Sequence, residues 1–198
     1  MTDGLETLTY VDPAHLERLH AGLASTAERE GVLDITFRTL DTPVGLLLLA
    51  ATARGVVRVA FESEGHDRVL ADLADRVSPR VLSSSSRVDA AAHQLDEYFE
   101  GSRRAFELPL DFRLAHGFRL SVLKHLVHIG YGTTESYTEV AAATGHPKAM
   151  RAVGSACATN PLPVIVPCHR VLRSDGTLGG YLGGLDAKRE LLAREALA

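Results

Sequence analysis

The hydrophobic pattern changes its period once along this chain, and that change limits the folds open to it. Over residues 32–63 apolar and polar positions alternate in "LDITFRTL", a turn follows in "DTPVG", and "LLLLAATA" and "GVVRVAFES" continue as strands. A period of two marks strands, and the short turns between them make neighbours antiparallel. "HDRVLADLADRV" then carries Val69, Leu73 and Val77 at helical spacing. The serine run at residues 83–86 reads as a loop, and "DAAAHQLDEYFEG" as a second helix stopped by Gly101. The expectation is an antiparallel meander with two helices, a small α/β domain over residues 32–111.

Beyond "LPLDF" the period becomes helical, and residues 112–198 are expected to form a second, mainly helical domain, giving an α+β chain. "GFRLSVLKHLVHI" places Phe118, Val122, Leu126 and Ile129 on one stripe. Ser136 and Glu139 match a capping box, in which each side chain satisfies the other residue's free N–H, and open the helix "YTEVAAAT". "GHP" predicts a tight turn, with Pro147 suited to a first helical position. "KAMRAVGSACAT" follows and stops at Asn160-Pro161. Two short helices joined by about three residues make a helix-turn-helix candidate. Residues 1–31 precede both domains; Asp12-Pro13 starts a helix there with Leu16, Leu19 and Leu23 on one face.

The second helix of the pair is built of small residues (Ala149, Ala152, Gly154, Ser155, Ala156, Ala158), with Lys148 and Arg151 long among them. Tight helix packing explains that composition. So does a helix that lets a nucleic-acid backbone come close while Arg151 projects from its start, where helix-turn-helix proteins reach into DNA. Charge bears on the choice. Residues 1–111 hold 11 Lys+Arg against 19 Asp+Glu, whereas residues 112–198 hold 10 against 6, within a net charge of −4. The basic excess lies where an anionic partner would sit.

Two cysteines eleven positions apart, Cys157 and Cys168, make neither a CxxC pair nor a disulfide framework. The longest apolar stretch, residues 44–53, is too short to span a bilayer, and the acidic N-terminus has no apolar signal core. A reducing, cytoplasmic setting is expected. Cys157 reads as core packing on the small-residue helix. Cys168 differs, because "PCHR" sets it beside His169 and Arg170, where a thiolate would be stabilised. A nucleophilic cysteine needs a base, directly or through one water. Neighbouring side chains on a straight strand point apart, so either the backbone turns at Pro167-Cys168 or a water carries the proton. In the last helix Glu195 stands four after Leu191 and three after Leu192, on the apolar face. It is either the carboxylate behind His169 or an exposed end residue. Glu190 and Arg194 form a plain surface pair. The glycines of "LGGYLGG" match neither GxGxxG nor the phosphate loop and suit a loop folded tightly on a ligand or backbone.

"NPLPVIVPCHRV", with "RAVG" upstream and "GGYLGGLDAKRELLARE" downstream, resembles the methylated-DNA–protein-cysteine methyltransferases, also called O6-alkylguanine-DNA alkyltransferases. The resemblance runs from about residue 118 to residue 195 and continues more faintly through "LDEYFEG" and "LPLDF". It implies a ribonuclease H-like N-terminal domain, a helix-turn-helix that binds double-stranded DNA through the minor groove, and a monomer. It implies direct-reversal repair: O6-alkylguanine, and O4-alkylthymine, rotated out of the duplex and its alkyl group moved once and irreversibly onto Cys168. His169 and Glu195 would activate the thiol through a water, Asn160 would tie the helix end to the reactive turn, and Tyr137 would donate to N3 of the leaving guanine. Arg151 would fill the gap left in the stack, and Thr138, His146 and Ser174 would contact the strand. No cofactor is implied, and without the zinc cysteines of some relatives no metal is expected. The chain departs from the family pattern at "LAHGFRL", with Arg119 where Gln is usual, at Val122-Leu123 and at Ile129-Gly130; the reactive residues are in place. Two other classes compete: a lesion-binding protein without chemistry, and a multi-turnover cysteine hydrolase on Cys168 and His169, which would also need an oxyanion hole.

Overall fold

The computed structural model describes residues 12–84 and 86–196. Helix α1 (Pro13–Arg29) is capped by Asp12, whose side chain accepts from Ala14 N. Strands β1 (Ile35–Leu40), β2 (Leu47–Thr52) and β3 (Gly55–Phe61) follow as antiparallel neighbours. Helix α2 (His66–Arg76) then returns the chain across the sheet to β4 (Val81–Ser83), which pairs parallel to β1 and completes the order β3-β2-β1-β4. The sheet is therefore mixed, where the sequence suggested an antiparallel meander. A crossover helix delivers the next strand in the same direction, and a strand of three residues, the last of them the first serine, is too short to show a period. Ser83, expected in a loop, closes that strand.

Strand β2 is buried along its whole length, which accounts for its unbroken apolar run. Leu48 and Ala50 face a cluster with Val69 and Leu73 of α2. Leu47, Leu49 and Ala51 face the larger core. Each fully buried leucine contributes about 1.5–3 kcal/mol. The outer edge of β3 is covered by the "LPLD" segment: Val56 N donates to Pro109 O at 2.9 Å and Asp111 N to Val56 O at 2.8 Å. Gly55 permits this approach, since a Cβ there would lie 2.1 Å from Pro109 O.

Helix α3 (Asp89–Glu100) ends at Gly101 in the left-handed conformation. The helical domain comprises α4 (Gly117–Leu126), α5 (Tyr137–Ala143), α6 (Met150–Ala158) and α7 (Gly184–Ala196), with β5 (Glu135–Ser136) paired parallel to β6 (Val171–Leu172). The larger core runs without a break from the sheet through α3 into these helices, and Val59 N donates across to Pro161 O at 2.8 Å.

Three expectations need adjusting. The connection between α5 and α6 is longer than three residues, because α6 begins at Met150 and Pro147 lies in the turn before it. Helix α4 stops before Ile129, although that side chain is buried. Leu16, Leu19 and Leu23 share a face, but each is more than half exposed; α1 instead buries Ala24 and joins Glu28 to Arg87 at 3.3 Å. Among the described residues no helix is long and apolar enough to cross a membrane.

Candidate active site and adjoining cavity

Residues 160–170 form the reactive segment, and Asn160 organises it. It follows α6 and is fully buried. Its amide donates to Val166 O at 2.8 Å and to Cys168 Sγ at 3.1 Å, and its Oδ1 accepts from Leu162 N at 3.0 Å. The loop so closed carries a left-handed Val164 (φ 71°), a conformation costly for a β-branched residue. At Pro167 the chain enters a 3-10 turn, Cys168–Arg170. The backbone thus turns at Cys168, one of the two routes the sequence left open.

The turn separates the three side chains. Cys168 is 2% exposed. Burial pushes its thiol up to about 11, against smaller downward effects of the Asn160 hydrogen bond and the Lys188 charge. The sequence suggested a stabilised thiolate; burial works against one here, and Arg170 turns away to Glu195. His169 Nε2 lies 2.8 Å from Glu195 Oε1. Arg170 reaches the same carboxylate through Nε and Nη2, both at 2.8 Å, and donates to Ile129 O through Nη1 at 2.5 Å.

Glu195 is buried, so it is no frayed end. Burial opposes its charge, but hydrogen bonds from His169 and Arg170 outweigh that and hold the carboxyl at about 2. Ionised, it only accepts, so Nε2 of His169 carries the hydrogen and Nδ1 keeps its lone pair. That Nδ1 is buried with no hydrogen-bond partner among the described residues. Burial lowers the imidazole's pKa, with Glu195 acting in the opposite sense. The ring is therefore neutral near pH 7 and free to accept a proton.

Beside this network opens a cavity of about 460 Å³. Tyr137, Thr138, Arg151, Arg173, Ser174 and Gly179 are among its lining residues. Tyr137 opens α5 directly after its N-cap Ser136, within the Ser136–Glu139 capping box, which forms as expected. Its phenol lies against Gly179, where a Cβ would come within 2.2 Å of the hydroxyl. Burial raises its pKa, helped by Cys157 and then Cys168. Arg151 is exposed near the start of α6, and Thr138 Oγ1 lies 3.3 Å from Ser174 Oγ.

The expected residues thus fall into two adjoining groups: Cys168, His169, Glu195 and Asn160 buried, and Tyr137, Arg151, Thr138 and Ser174 around the cavity. His146 joins neither; its Nδ1 lies 2.8 Å from Thr144 O and its ring stands edge-on to Phe118. Arg119 bonds Leu114 O and Thr159 Oγ1. Cys157 is core, its thiol pushed up by burial. The Glu190–Arg194 pair forms at 2.8 Å, and Arg194 also bonds Phe99 O.

Sequence reasoning missed three members of the site. Arg170 was noted only as a basic neighbour. Lys188 is fully buried, with Nζ donating to Val171 O at 2.7 Å; its spacing three before Leu191, on the buried face of α7, was a usable signal. Tyr98 of α3 donates to Glu195 Oε1 at 2.7 Å, and no local pattern announces a contact across 97 positions.

Two family models match in succession: "6-O-methylguanine DNA methyltransferase, ribonuclease-like domain" over residues 35–112, and its "DNA binding domain" over residues 117–197. A methylated-DNA–protein-cysteine methyltransferase of Methanosarcina barkeri is 38% identical, over 79% of this chain and 94% of its own. The chain belongs to the methylated-DNA–protein-cysteine methyltransferase family. The constitutive Bacillus subtilis member is 39% identical, over 74% of this chain and 86% of its own. A Mycobacterium tuberculosis methyltransferase, solved in complex with DNA, superposes with a TM-score of 0.72 at 36% identity, covering 82% of this chain and 93% of that one. Helix α1 lies outside both segments matched by the family models.

Proposed function

We propose that this protein repairs DNA by direct reversal, accepting the alkyl group of O6-alkylguanine, and of O4-alkylthymine, on Cys168 in one irreversible step. The observation that carries this reading is the buried Cys168–Asn160 and His169–Glu195 arrangement beside a cavity edged by Tyr137 and Arg151. Family membership and the DNA complex of a relative support it.

The alkylated O6 lies inside the duplex, so the nucleotide must rotate out, at about a few kcal/mol. In this reading α6 enters the minor groove, its small residues admitting the backbone, and Arg151 occupies the gap left in the stack. The flipped base enters the cavity against Tyr137. The Cys168 proton passes through one water to His169 Nδ1, the unprotonated nitrogen, and Glu195 stabilises the imidazolium. Cys168 sulfur then attacks the alkyl carbon in an SN2 displacement. The S–C bond forms, the C–O6 bond breaks, and its electron pair enters the guanine ring. Tyr137 donates to N3 as that charge develops. The imidazolium then gives up its proton to water and the guanine anion takes one from water, so in net terms one proton moves from sulfur to guanine and one alkyl group from guanine to sulfur.

A thioether is not hydrolysed by water, so each molecule acts once. Every step uses a side chain of this chain, acting as a cytoplasmic monomer without a cofactor. The test is intact and peptide mass after mixing with a duplex carrying one O6-methylguanine. One methyl per chain on the Cys168 peptide, with no further reaction under excess DNA, is expected. Lesion binding without modification would overturn the transfer in favour of a binding role, and repeated turnover would indicate a hydrolase.

A further inference from the structure

We propose that Tyr98, from the N-terminal domain, is a positioning residue for alkyl transfer: its phenol fixes Glu195 and limits the negative charge that His169 feels. The proposal rests on the transfer reading above.

The geometry is specific. Tyr98 is 1% exposed, and its hydroxyl donates to Glu195 Oε1 at 2.7 Å. That same oxygen accepts from His169 Nε2 and Arg170 Nη2, both at 2.8 Å. Oε2 takes Arg170 Nε at 2.8 Å and Gly132 N at 3.3 Å. Five donors thus converge on one carboxylate, and Tyr98 is the only one of them that belongs to the N-terminal domain. Its ring is held by Phe99, Phe106 and Tyr131, with centroids 5.2, 5.4 and 6.0 Å away. These rings pack around the phenol that reaches Glu195.

A hydroxyl aimed at the oxygen that also serves His169 has a chemical consequence. A hydrogen bond to a charged group in a buried site strongly stabilises the charge. By sharing Oε1, Tyr98 reduces the pull of the carboxylate on the imidazole proton. An imidazole held too strongly by Glu195 would be protonated at rest and unable to accept the Cys168 proton. Burial raises the phenol's own pKa, and the charge of Glu195 raises it further, so Tyr98 stays a donor over the working range. The other groups bearing on His169 are Glu195 and Lys188 from α7 and Arg170 from its own turn. The Tyr181 ring stands edge-on to it at 6.3 Å. Removing the Tyr98 hydroxyl alone takes a hydrogen bond from Glu195 and from none of the others.

A purely structural hydroxyl would join the two domains and do no more. The discriminating measurement is the single-turnover rate of methyl transfer from an O6-methylguanine duplex between pH 5 and 9, with urea unfolding in parallel. Tyr98→Phe should move the acid limb to higher pH, with transfer roughly tenfold slower at pH 6 and less than about threefold slower at pH 8. Site-specific 3-fluorotyrosine at position 98, isosteric and a stronger donor, should move the limb to lower pH; it keeps the test valid if the Phe variant fails to fold. In a Glu195→Gln background the Phe change should shift no limb. A wild-type limb retained in both position-98 variants, with stability alone altered, overturns the proposal. Wild-type protein that takes no methyl on Cys168 would instead overturn the transfer reading beneath it.

Discussion

Asn160 Nδ2 donates to Cys168 Sγ at 3.1 Å while the same amide closes the 160–166 loop through Val166 O and Leu162 N. One side chain thereby sets both the shape of the reactive segment and the position of its sulfur. Asn160→Ala should leave the buried Leu162 N without a partner, at about 1–3 kcal/mol, while Val166 O keeps its bond from Cys168 N. The expected outcome is a loss of about 1–3 kcal/mol in urea unfolding together with slower transfer. Unchanged stability would mean that the loop holds itself.

Gly179→Ala should act on the cavity and spare the fold. A Cβ there would come within 2.2 Å of the Tyr137 hydroxyl and within 2.9 Å of two of its ring carbons. The phenol must shift, and displacements of this size cost up to about a hundredfold in rate. Transfer kinetics beside thermal unfolding check this: rate should fall while stability changes by less than about 1 kcal/mol.

Lys188→Met should separate charge from packing. The ammonium is fully buried with one hydrogen bond, and its charge lowers the Cys168 thiol. Methionine fills a similar volume without a charge to desolvate, so stability should hold or rise. The thiol pKa should climb above its present value of about 11. Iodoacetamide alkylation of Cys168 as a function of pH reads this directly.

Acid should weaken the protein through Glu195. Its folded pKa, about 2, lies below its ordinary 4.5. The unfolded chain therefore binds the proton first. The stabilisation is complete above about pH 4.5 and is lost as pH falls toward 2. His169, held below its ordinary 6.5, acts in the same sense, with stability falling as pH drops below that value. In Glu195→Gln the slope of unfolding free energy against pH should flatten between pH 4.5 and 2, although the variant starts less stable.

The sequence was informative where physics is local. The Ser136–Glu139 box, the helix start at Asp12-Pro13 and the Gly101 stop depend on residues within a turn of one another, and each formed where expected. The place of Glu195 on the apolar face of α7 was also legible, because helical spacing reports it. Strand β4 was not, since three residues show no period and its pairing with β1 spans the sequence. The surroundings of Cys168 escaped sequence reasoning for a related reason. Adjacency to Arg170 suggested a stabilised thiolate, but a turn decides which neighbours a side chain faces, and here it sends the guanidinium to Glu195. Tyr98 lay beyond sequence reasoning because its partner is set by tertiary packing alone.

The close seating of Gly183 on Phe61 has a consequence for how this protein can be rearranged. A Cβ at Gly183 would meet the Phe61 ring at 2.5 Å, and Tyr181 stands edge-on to that ring at 5.7 Å. The loop just before α7, which carries Tyr181 and Gly183, is thus moulded on a strand of the other domain, within one shared core. Recombination between relatives at the seam near residue 112 would pair a loop from one lineage with a strand shaped by another. A chimaera cut once at that seam always takes Phe61 and Gly183 from different parents, so it should be less stable than either parent wherever the two lineages differ at this contact.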